Sequence, residues 1–324
     1  MKKLHKILAV AALAVLAPLS AAHAQAFPNR MVRIVVPYTP GGPADVLARA
    51  LGQQLSTTWG QPVVIDNKPG ANEMIAAIEV ARAPGDGYTF LLASDAVFSL
   101  NSHLYAKIQY EPKDFVPVSK LVTANLMLVT RPDFPAANVG ELVEYAKKNP
   151  GKLNYASVGA GGVNHLAMAW FNSINGLQME HVPYKGLPQA LQDLMSGRVD
   201  VGFAVIGGAA PQLPSGKLKA LAVAGRNRST IAQTVPTFTE AGYPAFDASF
   251  YFGVAAPKGT PAEAARKFAR DASAIVNSAD FKAKYLTNLG FEAVGDTPEQ
   301  FSAFLVGDRD AAAKKVQISG AKLD

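Results

Sequence analysis

Residues 31–45 read Met31-Val32-Arg33-Ile34-Val35-Val36-Pro37-Tyr38-Thr39-Pro40-Gly41-Gly42-Pro43-Ala44-Asp45. The first six are rich in β-branched side chains and stop at a proline, which reads as a buried strand. A short loop with two glycines follows. A helix then runs from about Pro43 to Ser56, with Leu47, Leu51 and Leu55 on one face at i, i+4 and i+8. Pro43 suits the first helical position and Asp45 complements the positive helix start.

The same strand–helix alternation continues on both sides of this stretch. Pro62–Asp66 and Tyr88–Ala93 read as strands, with a helix between them from Asn72 to Arg82. A second series starts near Ala124, with strands at Leu126–Thr130, Asn154–Ser157, Met179–Val182, Val199–Val205 and Leu218–Val223. Helices are expected at Val139–Lys148, at Val163–Ser173 and along the stripe Leu187, Leu191, Leu194, Met195. After a last strand, Phe250–Ala255, come helices at 261–277, 279–289 and 298–319. Alternating elements with short loops imply an α/β fold with mostly parallel sheets. Helices alone cannot complete a lobe, so the last three are expected to pack on the first sheet. Residues 25–125 and 250–324 then form lobe 1 and residues 126–249 lobe 2, with two crossover segments and a ligand cleft between the lobes.

The first 24 residues have the composition of an export signal. Lys2, Lys3 and Lys6 precede an apolar run from Ile7 to Leu19, and Ala22-His23-Ala24 offers a small-x-small cleavage site. The run is shorter than the roughly 20 residues a membrane span needs. Cleavage after Ala24 removes 24 of 324 residues and leaves 300, enough for a large core. It also removes three of the lysines behind the formal charge of +6, leaving +3. With no basic stripe, nucleic-acid binding has little support. The absence of cysteine excludes disulfides and thiolate metal sites.

Two loops share one design. Pro40-Gly41-Gly42-Pro43 and Gly159-Ala160-Gly161-Gly162 each lie between a strand end and a helix start. Glycine permits close backbone approach, and a helix start favours an anion, carboxylate as well as phosphate. Either loop alone could be a plain tight turn, but one in each lobe, both able to face a cleft, favours binding. The candidate ligand-binding residues are Tyr38, Gly41, Gly42, Pro43, Ala44, Asp45, Ser94, Gly161, Gly162, Asn164, His165, Tyr184 and Asp200. Asp45 reads either as a ligand contact or as a cap of its helix. His165 reads as a contact or a satisfied helix-end histidine, and Tyr184 as cleft lining or packing. The second loop is no dinucleotide fingerprint, because Asn164 stands where the last glycine belongs. No G-x-S-x-G elbow or paired carboxylates appear, and His103, His165 and His181 lack ligand-like spacing. No catalytic residue, metal site or cofactor is therefore expected.

The ordered motifs resemble a known family. Ile34-Val35-Val36-Pro37-Tyr38 leads into Gly41-Gly42-Pro43-Ala44-Asp45, then Asn67-Lys68-Pro69-Gly70-Ala71 and Asp86-Gly87-Tyr88-Thr89. His181-Val182-Pro183-Tyr184-Lys185-Gly186, Gly216-Lys217-Leu218-Lys219-Ala220-Leu221-Ala222, Glu240-Ala241-Gly242 and Ala256-Pro257-Lys258-Gly259-Thr260-Pro261 follow. The set is similar to the Bug family, the periplasmic receptors of tripartite tricarboxylate transporters. The resemblance implies a type II periplasmic-binding-protein-like fold that closes on a dicarboxylate, tricarboxylate, acidic amino acid or aromatic carboxylate. It implies a monomer in the periplasm, working with small and large membrane subunits or, alternatively, with a membrane sensor; a secreted enzyme on the same scaffold is the remaining reading. It also implies that residues 41–45 and 161–165 grip the carboxylate. Three positions depart from the family pattern: Gly162 where serine is frequent, Asn72-Glu73 where a further glycine is common, and Ala204 where an acid often follows the phenylalanine.

Overall fold

The computed structural model describes residues 27–225, 227–321 and 323. The expected export segment, residues 1–24, lies outside the described residues. The first unit comprises β1 (Val32–Val36), α1 (Pro43–Trp59), β2 (Val63–Asn67), α2 (Met74–Ala81), β3 (Thr89–Ser94) and β4 (Phe115–Ala124). The second comprises β5 (Leu126–Thr130), α3 (Val139–Lys148), β6 (Leu153–Ser157), α4 (Val163–Asn175), β7 (Met179–Pro183), α5 (Leu187–Met195), β8 (Val201–Val205) and β9 (Lys219–Ala224). The chain then returns to the first unit with β10 (Phe250–Pro257), α6 (Ala262–Asn277), β11 (Phe291–Ala293) and α7 (Pro298–Ser319).

Two sheets result. One has the order β11-β4-β10-β3-β1-β2, the other β7-β6-β8-β5-β9. β1 is flanked by parallel neighbours on both sides, with Ile34 between Ile65 and Phe90. Such a strand is covered on both faces, which is why β1 reads as a nearly continuous apolar run. The chain passes between the sheets through Asn125 alone on the first occasion and between Ala224 and Phe250 on the second. The two passages lie side by side: Phe250 pairs with Ala124 in one sheet, and Leu126 with Ala224 in the other. Two adjacent strands at a waist can bend together without breaking either sheet, the usual architecture of a hinge.

The C-terminal helices α6 and α7 pack on β4, and α7 also packs on α4 of the second unit. An apolar cluster of Leu100, Leu104, Leu166, Ala312 and Val316 joins the two units there. The ten-residue strand β4 carries no clear pattern in the sequence, because Pro117 and Lys120 interrupt it. Its ladder with β10 is irregular, slipping register at Phe252/Gly253 and Val254/Ala255, and such slips accommodate a proline within a sheet. The helix expected from Asn72 starts at Met74 instead. Ala71, Asn72 and Glu73 are left-handed, with φ of 47°, 49° and 71°. The expected 279–289 helix divides into Ala279–Phe281, a wider π-turn Lys282–Leu286, and Thr287–Leu289.

Two glycines give opposite predictions. A methyl group on Gly85 would lie 2.3 Å from the Lys258 carbonyl oxygen and 2.8 Å from the Gly259 carbonyl carbon, both backbone atoms. Gly85→Ala is expected to destabilise by about 1–3 kcal/mol, the usual cost of overpacking. Gly307 lies exposed within α7, and a methyl there meets nothing within 4 Å. Gly307→Ala should stabilise by about 0.5–1 kcal/mol, through helix propensity alone. Urea unfolding midpoints of the two variants, read against the parent, check both signs.

Candidate functional site

The two glycine loops are conformational copies. Gly41 has φ 86° and Gly161 φ 81°, values in the left-handed region where glycine is favoured. The next residue is the helix N-cap in each: Gly42 at φ −78°, ψ 165°, and Gly162 at φ −65°, ψ 161°. Each loop is also fastened by the side chain four residues beyond the glycine that precedes the N-cap. The Gly41 N–H donates to Asp45 Oδ2 at 2.9 Å, and the Gly161 N–H donates to His165 Nδ1 at 3.0 Å.

Both anchors are themselves fixed. Asp45 is almost wholly buried and accepts from Arg49 Nε and Asn67 Nδ2, each at 2.9 Å. Burial pushes its carboxyl up, but the bonds from Arg49, Gly41 and Asn67 outweigh that and hold it below the ordinary carboxylate range. The His165 ring stacks on His181 with centroids 4.2 Å apart, and His181 Nε2 lies 2.6 Å from Ser157 Oγ. Burial, with a smaller effect from His181, depresses His165 to about 4. A neutral ring agrees with the geometry, since Nδ1 must be bare to accept from Gly161.

Neither helix start is capped by a side chain. The first-turn N–H groups of Ala44 and Asp45 in α1, and of Val163, Asn164 and His165 in α4, bond to no other described residue. Such orphan donors, at the positive end of each helix dipole, form anion sites. Tyr38, Gly42, Pro43 and Ala44 from one unit and Val158, Val163 and Asn164 from the other line one cavity of about 40 Å³. The units approach closely around it. The Tyr105 hydroxyl donates to the Ala160 carbonyl at 3.2 Å, and a methyl on Gly186 would fall 2.1 Å from Thr39 Oγ1.

The remaining candidate residues divide. Ser94 is fully buried, and its N–H donates to Glu73 Oε2 at 2.9 Å. The Ser94 and Tyr38 hydroxyls donate to the other oxygen of the same carboxylate. Glu73 itself is buried, which raises its carboxyl pKa. The Tyr184 hydroxyl donates to Asp193 Oδ2 on α5 at 2.8 Å, so the phenol group is held within its own unit. Asp200 requires a correction. It precedes β8, whereas the cavity is lined at the other end of that strand by Val205. A five-residue strand separates the two by about 16 Å. Asp200 instead accepts from Arg131 Nε at 2.9 Å and from the Asn154 N–H at 3.0 Å, tying strand ends together. Asp45 and His165 likewise position the loops with their side chains, and only their backbone N–H groups remain for a ligand.

Sequence reasoning missed Thr39, Val158, Val163, Gly186, Leu187, Val205, Phe250 and Phe252 in the cavity wall. Apolar side chains at element ends read as core, and only their position at strand ends and helix starts could have flagged them.

Fold and site together define a two-lobed α/β solute-binding protein of the periplasmic-binding type. Residues 47–319 match the tripartite tricarboxylate transporter family receptor. The protein BugT of Bordetella pertussis is 34% identical over 316 residues, covering 97% of this chain and 96% of BugT. Among solved structures, R. palustris Rpa4515 with adipate superposes with a TM-score of 0.88 at 33% identity, covering 92% of this chain and 100% of that one. MatC from Rhodopseudomonas palustris with bound malate does so at 0.84 and 32%, covering 90% and 100%. The chain belongs to the tripartite tricarboxylate transporter receptor family, whose members are solute-binding receptors.

The histidine anchor has a pH signature. Burial lowers both His165 and His181 in the folded state. An unfolded chain therefore binds protons from about pH 6.5 downward that the folded chain refuses, His165 until about pH 4. Stability from these groups is complete above pH 6.5 and lost as pH falls through that window, by up to about 1.4 kcal/mol per pH unit per group. Unfolding midpoints measured from pH 7 to 4 should fall accordingly. His165→Phe, which keeps the ring stack but cannot titrate, should flatten the slope.

Proposed function

We propose that this protein is an exported receptor that captures a small carboxylate between its two lobes and hands it to the small and large membrane subunits of a tripartite transporter, without chemically altering it. Residues 1–24 act as the export signal, with cleavage after Ala24. Among the described residues no helix is long and apolar enough to cross a membrane.

One observation carries the reading: two uncapped helix starts with the same loop geometry line one cavity from opposite lobes. A carboxylate there accepts from α1 on one side and α4 on the other, so it binds best when the lobes are closed. Each charge-assisted N–H bond is worth about 1.5–3 kcal/mol, and a ligand held from both sides stabilises closure by their sum less the cost of ordering. The rest of the wall, including Val158, Val163, Leu187, Phe250 and Phe252, suits an apolar ligand body. The relatives solved with adipate and malate agree with a carboxylate ligand.

Isothermal titration of the ligand-free protein with carboxylates of three to eight carbons, and with their methyl esters, tests the proposal. Binding of one or more acids with no measurable binding of the esters is the expected result. Binding that is indifferent to esterification contradicts it. Gly41→Ala, which forces a side chain into φ 86° where space itself is free, should keep the fold and weaken the best acid about tenfold.

A further inference from the structure

A second cavity, of about 30 Å³, adjoins the first and shares Val163 and Phe250 with it. Its polar lining comes from Asp95, Ser249 and Lys315. Asp95 is 5% exposed and accepts no hydrogen bond from any other described residue; its Oδ1 is wholly enclosed without a partner. A buried carboxyl in that condition is unusual, because leaving it unpaired costs more than almost any other defect a fold tolerates.

Its surroundings deepen the deficit. Glu73 and Asp308 both act on it electrostatically, and each is already served by its own donors: Glu73 by Tyr38 and Ser94, Asp308 by Ser99 and Tyr251. Lys315 supplies an opposing charge, but its ammonium donates to the Ser249 carbonyl at 3.3 Å. Among the groups acting on Asp95, Glu73 and Asp308 oppose its charge and Lys315 favours it. Burial, only partly offset by Lys315, raises Asp95 to about 8, so in the free protein it is mostly protonated at neutral pH. An anion placed here would be opposed by the Glu73 and Asp308 carboxylates nearby, whereas a cation would pair with Asp95 as it gives up its proton. Trp170 and Phe250 in the same wall add ring surface against which a cation can also rest.

We infer that Asp95 selects the ligand: the preferred solute is an ω-amino monocarboxylate, its carboxylate on the two helix starts and its ammonium at Asp95. This rests on the receptor reading above and names its substrate class. Occupation of the second cavity by an ammonium gives the orphan Oδ1 of Asp95 a partner.

Titration calorimetry with three matched series tests it: ω-amino acids from 4-aminobutanoate to 6-aminohexanoate, the n-alkanoates and the α,ω-dicarboxylates of equal length. The best amino acid should bind at least tenfold tighter than its alkanoate and dicarboxylate counterparts. At pH 7, in two buffers of different ionisation enthalpy, it should release close to one proton on binding, and the alkanoate none. Asp95→Asn, after its melting midpoint has shown a folded chain, should abolish both the tenfold preference and the proton release. A dicarboxylate that binds tightest overturns the assignment, as does a preference for the amine that survives Asp95→Asn with no proton released. Failure of every carboxylate in all three series would instead overturn the receptor reading beneath it.

Discussion

Everything in the cleft depends on keeping two helix starts uncapped and aimed into one space. Orphan N–H groups at a helix start normally find a serine, threonine or aspartate partner. Here the N-caps are Gly42 and Gly162, which have no side chain to offer. The capable side chains, Asp45 and His165, are turned back on the preceding loop, each taking the N–H of a left-handed glycine. The loops become rigid and the first-turn donors stay free. The two lobes reach the same result with chemically different anchors, an ionised carboxylate and a neutral imidazole, so acid weakens lobe 2 before lobe 1.

Rigidity on the lobe 1 side extends further back. Three consecutive left-handed residues bring the Glu73 carboxylate into the buried position where Tyr38 and Ser94 converge. Each such residue costs about 1–2 kcal/mol relative to ordinary backbone. The two hydroxyls and one N–H that meet there form a ready-made carboxylate site, and the protein fills it with its own side chain. A ligand therefore finds these donors already used and must look to the helix starts. A negative charge fixed behind the wall also disfavours a second carboxylate nearby, in keeping with the acid-rich second cavity.

Much of this was legible in the sequence. Alternating strand and helix signals place the two sheets, and the paired glycine loops point to opposing anion sites, because glycine and helix-start chemistry are local. What failed to show depends on tertiary neighbours. β4 hides behind Pro117 and Lys120, and only the register slip with β10 explains how a strand survives there. Asp200 looked like a cleft residue because polar residues near glycine loops do, yet strand direction puts it at the opposite end of β8. The stack of His165, His181 and Tyr155 brings together residues from three separate elements and has no sequence spacing to betray it. The apolar lining at Phe250 and Phe252 cannot be told from core by composition, since it becomes cleft only where the two lobes meet.

The central claim is that one anion is held by backbone donors from both lobes at once. Amide 1H–15N correlation spectra of isotopically labelled protein, recorded during a titration with a bound carboxylate, test this atom by atom. Ala44 and Asp45 from α1 and Asn164 and His165 from α4 should all move downfield, as N–H groups that gain a charged acceptor do, and should saturate along one common curve. Shifts confined to one lobe, or centred on side chains away from both helix starts, would contradict the account.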